Sequence, residues 1–402
     1  MRSDRVTTDI LVSGGGIAGL VAAATLGSAG FDVVCTSADP STTPGEESSR
    51  DNRTTAFLQP ARSTLEEAKI WHRVSDHAMP LQVLTILDAG GHKNRIRYRA
   101  RFDAAEISDR PFGWNVANGV VRNAIVDRIL ELPNVLLKSG TLTRQICPRT
   151  RDVVVDLTDG SVISCRLLIG ADGRDSHVRN AMGIGVKSWR YGQSALAGSV
   201  FHKQPHESES LEIYLSGGPM TLVPMTCDSG RFRSALIWMD AAKRIELLSQ
   251  LPQKEFNREL TARSCGVLGD LEVAGPRSCW PVVGQLAHRL TGQRTVILAE
   301  AAHVVPPIGA QGLNMSLTDI QTLCDIIRSS NLDPGSPTVI GQFSRRRWPD
   351  ILARFTAVEL LNRASIAGNP VIGSLRLHAL KTLHQNAVVR KPFMRAGLGR
   401  VA

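Results

Sequence analysis

The sequence predicts an α/β fold with an inserted sheet-rich region and a helical C-terminal region. Three patterns carry this prediction. A short apolar run near the N-terminus leads into a glycine-rich turn and an alanine-rich segment, and residues 188 to about 280 alternate as short strands. An apolar strand and a helical pattern then return over residues 295 to about 329. The sheet-rich stretch therefore interrupts one discontinuous α/β unit.

The first element in chain order runs from Asp9 to Ser37. Ile10 to Val12 is apolar, Gly14 to Gly19 reads Gly-Gly-Gly-Ile-Ala-Gly, and an alanine-rich helix precedes a second apolar run at Val33 to Cys35. Strand, tight glycine turn, helix and strand in this order are typical of the dinucleotide-binding βαβ unit.

Each glycine of this turn has a physical task. Gly14 permits the turn out of the strand, Gly16 lets backbone approach a pyrophosphate, and Gly19 lets helix and strand pack closely. The acid that usually binds ribose, about 20 residues further on, is missing, because Ser37 occupies its place and Asp39 comes two residues late. The motif alone leaves NAD and FAD open.

Composition limits the class of protein. The chain has 402 residues, 43% hydrophobic and 21% charged, which is long enough for more than one domain. Seven scattered cysteines without a C-x-x-C pair indicate neither a disulfide framework nor a zinc site, so we expect no metal and a reducing compartment. No signal peptide and no long apolar run are evident, so we expect a cytoplasmic protein.

The net charge of +10 is concentrated at the C-terminus, where no acidic residue follows Glu359. Nucleic acid is not expected as a partner, because no motif interleaves aromatic and basic residues. Two interpretations stay open: a helix on an anionic membrane surface, at the inner face, or a packed helix with a solvated side. The helical spacing in question involves Leu375, Ala379, Leu380 and Leu383, with Arg376 and Lys381 between them.

The intervening elements follow from local pattern. We expect helices over Ser63–Trp71, Val121–Leu132 and Ala242–Leu251, a hairpin over residues 82 to 102 turning at Gly90-Gly91, and a second hairpin turning at Asp159-Gly160.

A second motif, Gly170 to Arg179, reads Gly-Ala-Asp-Gly-Arg-Asp-Ser-His-Val-Arg. An apolar strand delivers Asp172 at its carboxyl end, where ligands collect in α/β sheets. Gly173 turns the chain, and Ser176 is placed to cap the next helix.

A third motif runs from Leu298 to Ser316. Its strand ends in an acid, Glu300, which can accept hydrogen bonds from hydroxyl groups, and a proline-stiffened loop with Pro307 leads to glycine-rich backbone that opens a helix. Free N–H groups at such a helix start can stabilise negative charge, as on a reduced flavin ring.

Together the three motifs resemble those of the class A flavin-dependent aromatic hydroxylases. The third is similar to the ubiquinone-biosynthesis branch, the UbiH/UbiF/VisC-type monooxygenases, whose pattern is G-[DE]-A-A-H-x-x-P-P-I-G-A-Q-G-L-N. The resemblance covers nearly the whole chain in the family's order. It implies an FAD-binding Rossmann-like domain with an inserted β-sheet-rich substrate domain, like that of p-hydroxybenzoate hydroxylase.

The resemblance also implies domain boundaries. Residues 1–75, 105–187 and 281–360 would form the discontinuous FAD-binding domain. Residues 76–104 and 188–280 would form the substrate-binding domain, and residues 361–402 a basic helical region.

The resemblance further implies the cofactor contacts. The residues expected to bind FAD are Gly14, Gly16, Gly19, Arg53, Arg122, Asp172, Gly173, Glu300, Pro307, Gly312, Leu313 and Asn314. Arg53, in the Asp51-x-Arg53 segment, would approach the flavin or its phosphates, and Arg122 would contact the pyrophosphate region of FAD. Glu300 would hold the ribitol or phosphate end, and the backbone of residues 312–314 would meet the isoalloxazine.

The chain departs from the family pattern at three positions. Ser37 replaces the ribose-binding acid, Ala299 replaces a glycine, and Glu300 stands where Asp is commoner. His303 is expected to support the loop, with a proton relay as the alternative. Tyr191 and Gln193 either face the substrate or start an ordinary strand. No side chain identifies itself as a catalytic acid or base.

By resemblance, the activity is hydroxylation of the aromatic ring of a polyprenylated phenol in ubiquinone biosynthesis. Non-covalent FAD, NAD(P)H as electron donor and O2 would act through a flavin C4a-hydroperoxide. The alternatives are a monooxygenase acting on another small aromatic, a flavin reductase, and a non-catalytic component of a quinone-biosynthesis complex.

Overall fold

The computed structural model describes residues 5–40, 53–90, 95–366 and 370–399. The strands are β1 Arg5–Ser13, β2 Val33–Thr36, β3 Thr54–Leu58, β4 Met79–Leu81, β5 Val83–Gly90, β6 Arg95–Asp103, β7 Gly113–Ala117, β8 Val135–Lys138, β9 Thr143–Pro148, β10 Val153–Leu157, β11 Val162–Gly170, β12 Val186–His202, β13 Glu209–Leu215, β14 Gly218–Asp228, β15 Arg231–Ala241, β16 Leu271–Val273, β17 Ser278–Ala287, β18 Thr291–Gly292, β19 Thr295–Ile297 and β20 His303–Val304.

The helices are α1 Ile17–Ser28, α2 Gln59–Glu67, α3 Trp71–Val74, α4 Asn118–Leu130, α5 His177–Ala181, α6 Ala242–Gln250, α7 Gln253–Arg263, α8 Gln311–Ser330, α9 Pro337–Ile366, α10 Pro370–Gln385 and α11 Ala387–Leu398. Short 3₁₀ turns lie at Ser75–His77, Ala104–Glu106 and Ala299–Ala301. Among the described helices, none is both long enough and apolar enough to cross a bilayer.

The first sheet has the order β18-β19-β11-β1-β2-β8, with β10 and β9 added beside β11. Strand β1 runs parallel to both β2 and β11, and β11 runs parallel to β19. Its central residues Ile10 to Val12 are fully buried, and so is most of α1, which packs against the sheet. Apolar side chains on all sides of a helix indicate that it is covered on all sides.

The second sheet has nine strands in the order β20-β17-β12-β15-β14-β13-β5-β6, with β16 beside β12. Its outer face is covered by α6 and α7, where Trp238 and Phe256 are fully buried. Its inner face packs against Ile308, which follows the third motif's prolines, and against Val358 of α9. A small third sheet, β3-β7-β4, completes the strands of the described residues.

The C-terminal helices pack on the second sheet. Leu380 and Leu383 of α10 contact the cluster around Phe102 of β6, as does the buried Met394 of α11. Arg376 forms an ion pair of 2.9 Å with the buried Asp88, and Lys381 lies over the ring of Tyr98. Two of the three leucines that the spacing offered to a membrane, Leu380 and Leu383, therefore face inward, because β6 presents them with an apolar partner. The third, Leu375, stays exposed.

Candidate functional site

The three sequence motifs follow three adjacent parallel strands. Ser13 at the end of β1 pairs with Gly170 at the end of β11, and Gly170 pairs with Ile297 at the end of β19. Ser13 also pairs with Thr36, the residue before Ser37. Since carboxyl ends of parallel strands meet at one edge, the glycine turn, the Asp-Gly turn and the Glu300 segment lie together.

Two glycines of the first motif are required by the chain itself. Gly14 has a φ of +127°, and a Cβ there would lie 2.1 Å from the carbonyl oxygen of Ala171. A Cβ on Gly19 would lie 1.9 Å from the carbonyl oxygen of Gly14. Both distances are far inside van der Waals contact, so only glycine allows the turn and the helix to approach this closely.

Gly16 differs from its neighbours. Its φ of −71° is ordinary for any residue, and a Cβ there would meet no atom of the described chain within 4 Å. It forms the N-cap of α1, where no side chain caps the helix. The first amides of α1 are therefore left for an outside acceptor such as a phosphate, and a side chain at position 16 would stand in its way.

Arg122 of α4 lies at the glycine turn, as its predicted role requires. Its Nη1 donates to the carbonyl oxygen of Gly15 at 2.7 Å, and its Nη2 donates to Asp39 at 2.7 Å. The sequence motif did not identify Asp39 as part of this arrangement.

Arg53 is placed elsewhere. It precedes β3, and its guanidinium lies 5.9 Å from the ring centre of Trp280 on the second sheet. It therefore lies where the third sheet approaches the second. Its approach to the flavin or its phosphates stays a prediction. Asp51, the other charged residue of its segment, is outside the described residues.

Asp172 uses its carboxylate for local structure. It accepts hydrogen bonds from the hydroxyl of Ser176 and, at 3.0 Å, from the amide of Val178. Ser176 in turn accepts from the amide of Arg179 at 2.9 Å, which confirms the predicted cap of α5. Gly173 has a φ of +83° and open space at its Cβ position. A cofactor contact of Asp172 stays a prediction.

Arg179, which sequence reasoning missed, links the second motif to the third. Its side chain is buried, and its Nη1 donates to the carbonyl oxygens of Arg174 at 2.8 Å and Ala301 at 3.1 Å. These contacts lock the Asp-Gly turn against the Glu300 segment. The arginine in the motif was the only signal, and its partner lies 122 residues away.

Glu300 is exposed and lies in the short 3₁₀ turn Ala299–Ala301 that follows β19. Ala299 before it adopts a φ of +55°, the left-handed conformation that glycine favours, which explains why a glycine is usual at this position of the family pattern. Within the described residues Glu300 makes no hydrogen bond or ion pair. An exposed, unpaired carboxylate at this edge is a ready acceptor for hydroxyl groups.

His303 belongs to a buried ionic cluster that holds the third motif. Its Nε2 lies 2.7 Å from Asp319 of α8, which also accepts a 2.6 Å bond from Arg347 of α9. Burial acts to raise the pKa of Asp319, but the charges of Arg347 and His303 hold it below its usual value. The geometry matches the loop-supporting role expected of His303.

The start of α8 presents backbone to the same space. Ala310 takes a left-handed φ of +54°, and no side chain caps the helix. Asn314 is buried, donates to the carbonyl oxygens of Ala56 at 2.7 Å and Ala310 at 2.6 Å, and accepts from the amide of Leu58 at 2.8 Å. Its side chain thus fixes the loop, and the predicted cofactor contact falls to the backbone.

Gly312 repeats the property of Gly16. A Cβ there would meet nothing within 4 Å, although the residue lies in the first turn of a helix. Leu313 packs against the main core, and Pro307 is half-buried in the loop before. The open space therefore lies over the backbone of residues 310–312.

Two polar residues, Glu212 and Tyr214, project from the inner face of the second sheet. Glu212 is buried and accepts a hydrogen bond of 3.1 Å from the hydroxyl of Tyr214. Burial raises the pKa of Glu212, and a backbone hydrogen bond from Gly309 opposes this. The alternation of Leu211, Glu212, Ile213 and Tyr214 along the predicted strand was the available signal.

Tyr191 and Gln193 serve the fold. The hydroxyl of Tyr191 donates to the carboxylate of Glu359 of α9. The side-chain amide of Gln193 accepts a hydrogen bond from Asn362 of α9 at 3.2 Å and donates one to the carbonyl oxygen of Gly217 at 2.7 Å. Both side chains therefore tie β12 to its neighbours.

These features fit FAD. The first and third motifs each contain a helix N-terminus without a side-chain cap and a glycine with open space at its Cβ position. Glu300, in the third motif, has no hydrogen-bond or ion-pair partner among the described residues. A family model described as the FAD binding domain matches residues 7–351. The chain belongs to this FAD-binding family. FAD is its cofactor, and no group of side chains suited to a metal ion occurs among the described residues.

The relatives match over nearly the full length. The ubiquinone hydroxylase UbiL of Rhodospirillum rubrum is 28% identical over 401 residues, which are 99% of this chain and 90% of that protein. The 3-demethoxyubiquinol 3-hydroxylase of Escherichia coli K12 is 26% identical and covers 98% of both chains. The solved p-nitrophenol 4-monooxygenase PnpA of Pseudomonas putida superposes with a TM-score of 0.78 at 18% identity, over 98% of this chain and 99% of that one. At this identity the last likeness concerns the fold.

Proposed function

We propose that this protein is an FAD-dependent monooxygenase that hydroxylates the aromatic ring of a polyprenylated phenol in ubiquinone biosynthesis. The observation that carries the proposal is the meeting of three motifs at one sheet edge, facing the inner side of a second sheet. Relatives named as ubiquinone hydroxylases span 84% to 99% of this chain, and their names support the substrate class.

The chain's residues bind and position the reactants. The glycine turn and the start of α1 would hold the pyrophosphate of FAD, Glu300 would accept hydrogen bonds from its hydroxyl groups, and the start of α8 would meet the flavin ring. The uncapped amides of α8 would stabilise negative charge on that ring. The inner face of the second sheet, which packs against the loop before α8, would exclude water from the reacting atoms.

The bound cofactor supplies the oxidation chemistry. NAD(P)H provides two electrons, one atom of O2 enters the ring as hydroxyl, and the other leaves as water. The protein therefore needs no side chain that attacks the substrate.

The test is reconstitution of the purified protein with FAD, NADH or NADPH, isotopically labelled O2 and a short-chain prenylated phenol. We expect one labelled oxygen atom in the product, measured by mass spectrometry. A flavin reductase would oxidise NAD(P)H without labelling any product. A non-catalytic component of a quinone-biosynthesis complex would do neither at a rate above free FAD. The remaining alternative is a monooxygenase acting on another small aromatic. It would instead label the products of small phenols that carry no prenyl chain.

We further propose that the C-terminal helices attach the protein to an anionic membrane surface, where an apolar prenylated substrate resides. Apolar side chains remain exposed there, namely Leu375 (64%), Val388 (82%), Val389 (47%) and Phe393 (47%). Basic residues accompany them without any acid after Glu359. Apolar surface flanked by positive charge is typical of interfacial helices.

The membrane proposal calls for surface substitutions in place of a deletion. Arg376 pairs with the buried Asp88 and Arg390 with Glu106, so removing the helices would break both ion pairs and leave Arg97 as the one arginine paired with Asp88 among the described residues. We expect the double variant K391E/R395E to lose salt-sensitive binding to vesicles containing anionic lipid. Equal vesicle binding by the variant and the unaltered protein would refute the proposal, and neutral vesicles are the control.

A further inference from the structure

The FAD site lacks an acid at the end of β2, where an adenosine ribose is usually bound. Ser37 occupies this position and is 3% exposed. Its hydroxyl oxygen accepts a hydrogen bond from the backbone amide of Asp39 at 3.2 Å. A Cβ placed on Gly15 would lie 2.1 Å from that hydroxyl oxygen, so Ser37 packs directly on the glycine turn. A short hydroxyl already engaged in a local bond is a poor substitute for a carboxylate that accepts two ribose hydroxyls.

The backbone after Ser37 is held in place by the neighbouring strand. All three bonds join backbone groups. The amide of Ser37 donates to the carbonyl oxygen of Lys138 at 3.0 Å, and the amide of Thr141 donates to that of Ser37 at 2.8 Å. The amide of Gly140 donates to the carbonyl oxygen of Asp39 at 2.9 Å. Together with the hydroxyl bond of Ser37, these contacts fix the direction in which Asp39 leaves the strand.

The side chain of Asp39 returns to the glycine turn. Arg122 spans the gap, with one nitrogen 2.7 Å from the carbonyl oxygen of Gly15 and the other 2.7 Å from the Asp39 carboxylate. Both side chains are 23% exposed, so the pair lies at the rim of the turn, neither buried in the core nor free in solvent. A single guanidinium thus places a carboxylate next to the residue between Gly14 and Gly16.

We infer that Asp39, positioned by Ser37 and Arg122, accepts hydrogen bonds from the adenosine ribose hydroxyls of FAD. The carboxylate that binds the ribose would thus come from a residue two positions later than in the usual motif. An ionised carboxylate has about four acceptor sites, so a carboxylate that already accepts hydrogen bonds within the protein can also accept one from a ribose hydroxyl. The inference concerns the cofactor only and does not depend on which phenol is hydroxylated.

The test compares FAD with its 2′-deoxyadenosine analogue. Each is titrated into apo-protein, and the Kd is read from the change in flavin fluorescence, without any turnover. A hydrogen bond to a charged acceptor gives about 10-fold or more tighter binding of FAD than of the analogue. In D39A we expect this ratio to fall below about 3-fold, with the loss falling on FAD.

Asp32, exposed at the other end of β2, provides the matched control. D32A removes the same charge from the same strand and should keep the ratio of the unaltered protein. D39N keeps the shape of the side chain should D39A fail to fold, and we expect its ratio to fall at least about 3-fold. Equal Kd values for FAD and the analogue in the unaltered protein would overturn the inference. So would a folded Asp39 variant whose ratio of the two Kd values is undiminished, because the Asp39–Arg122 pair would then be purely structural.

Discussion

Gly14 and Gly19 press against the chain's own backbone, whereas Gly16 and Gly312 face open space. At the first pair a Cβ would come within 2.1 Å and 1.9 Å of carbonyl oxygens, and at the second pair it would meet nothing within 4 Å. The four glycines look equivalent in the sequence motifs. The structure separates those required for folding from those that only a bound molecule can require.

This difference is the basis on which we propose where the cofactor binds. A glycine that the fold does not need carries an entropic cost, about 1 kcal/mol within a helix. Gly16 and Gly312 sit at the first turns of α1 and α8, each without a side-chain cap. Both positions therefore leave backbone N–H groups open to an outside acceptor, for which we propose a phosphate at α1 and the flavin ring at α8.

The largest expected effect is at Gly19. G19A would force α1 away from the glycine turn, and we expect a loss of about 3 kcal/mol in the free energy of unfolding of the apo-protein, measured by denaturant titration. The same substitution three residues earlier, G16A, is the control and should change apo-protein stability by less than about 0.5 kcal/mol. Comparable losses in both variants would erase the distinction between the two kinds of glycine.

The next effect is at Gly16 and falls on the cofactor. We expect G16V to weaken FAD binding by about 100-fold, because its branched side chain occupies the approach of the pyrophosphate. Fluorescence titration with FAD gives the Kd, and purified G16V should be colourless. G16A should lie between G16V and the unaltered protein. A G16V protein that is purified with stoichiometric FAD would mean that the pyrophosphate lies elsewhere.

Much of this site could be predicted from sequence, because each motif is contiguous. Glycine spacing located Gly14, Gly16 and Gly19, and a strand ending in an acid located Glu300. The predicted helices near Val121, Ala242 and Gly312 exist, with bounds Asn118–Leu130, Ala242–Gln250 and Gln311–Ser330. Local patterns suffice wherever one segment supplies both the backbone and the functional group.

The pairs that join distant segments could not be predicted. Arg179 meets Ala301, Asp319 meets Arg347, and Arg376 meets Asp88 across 288 residues. Spacing likewise showed that Leu380 and Leu383 share a helix face, but only the position of β6 decides that this face is turned inward. A periodic pattern reveals which side is apolar and leaves its partner open.

The smallest expected effect, at Gly312, is also the most discriminating, because its two parts have opposite signs. Alanine is a better helix former than glycine by about 1 kcal/mol, and the space around position 312 is open. We therefore expect G312A to stabilise the apo-protein by about 0.5 kcal/mol, measured by denaturant titration. FAD should bind about 10-fold more weakly, since the added methyl group lies over backbone that meets the flavin.

Gly341 of α9 supplies the control for Gly312. A Cβ there makes only an ordinary contact of 3.6 Å with Arg345, so G341A should gain helix stability and leave the Kd of FAD unchanged. If G312A behaved like G341A in both measurements, the open space at the start of α8 would not be the flavin's. Higher stability with weaker FAD binding in G312A alone would assign that space to the flavin, because no contact within the protein can produce both changes.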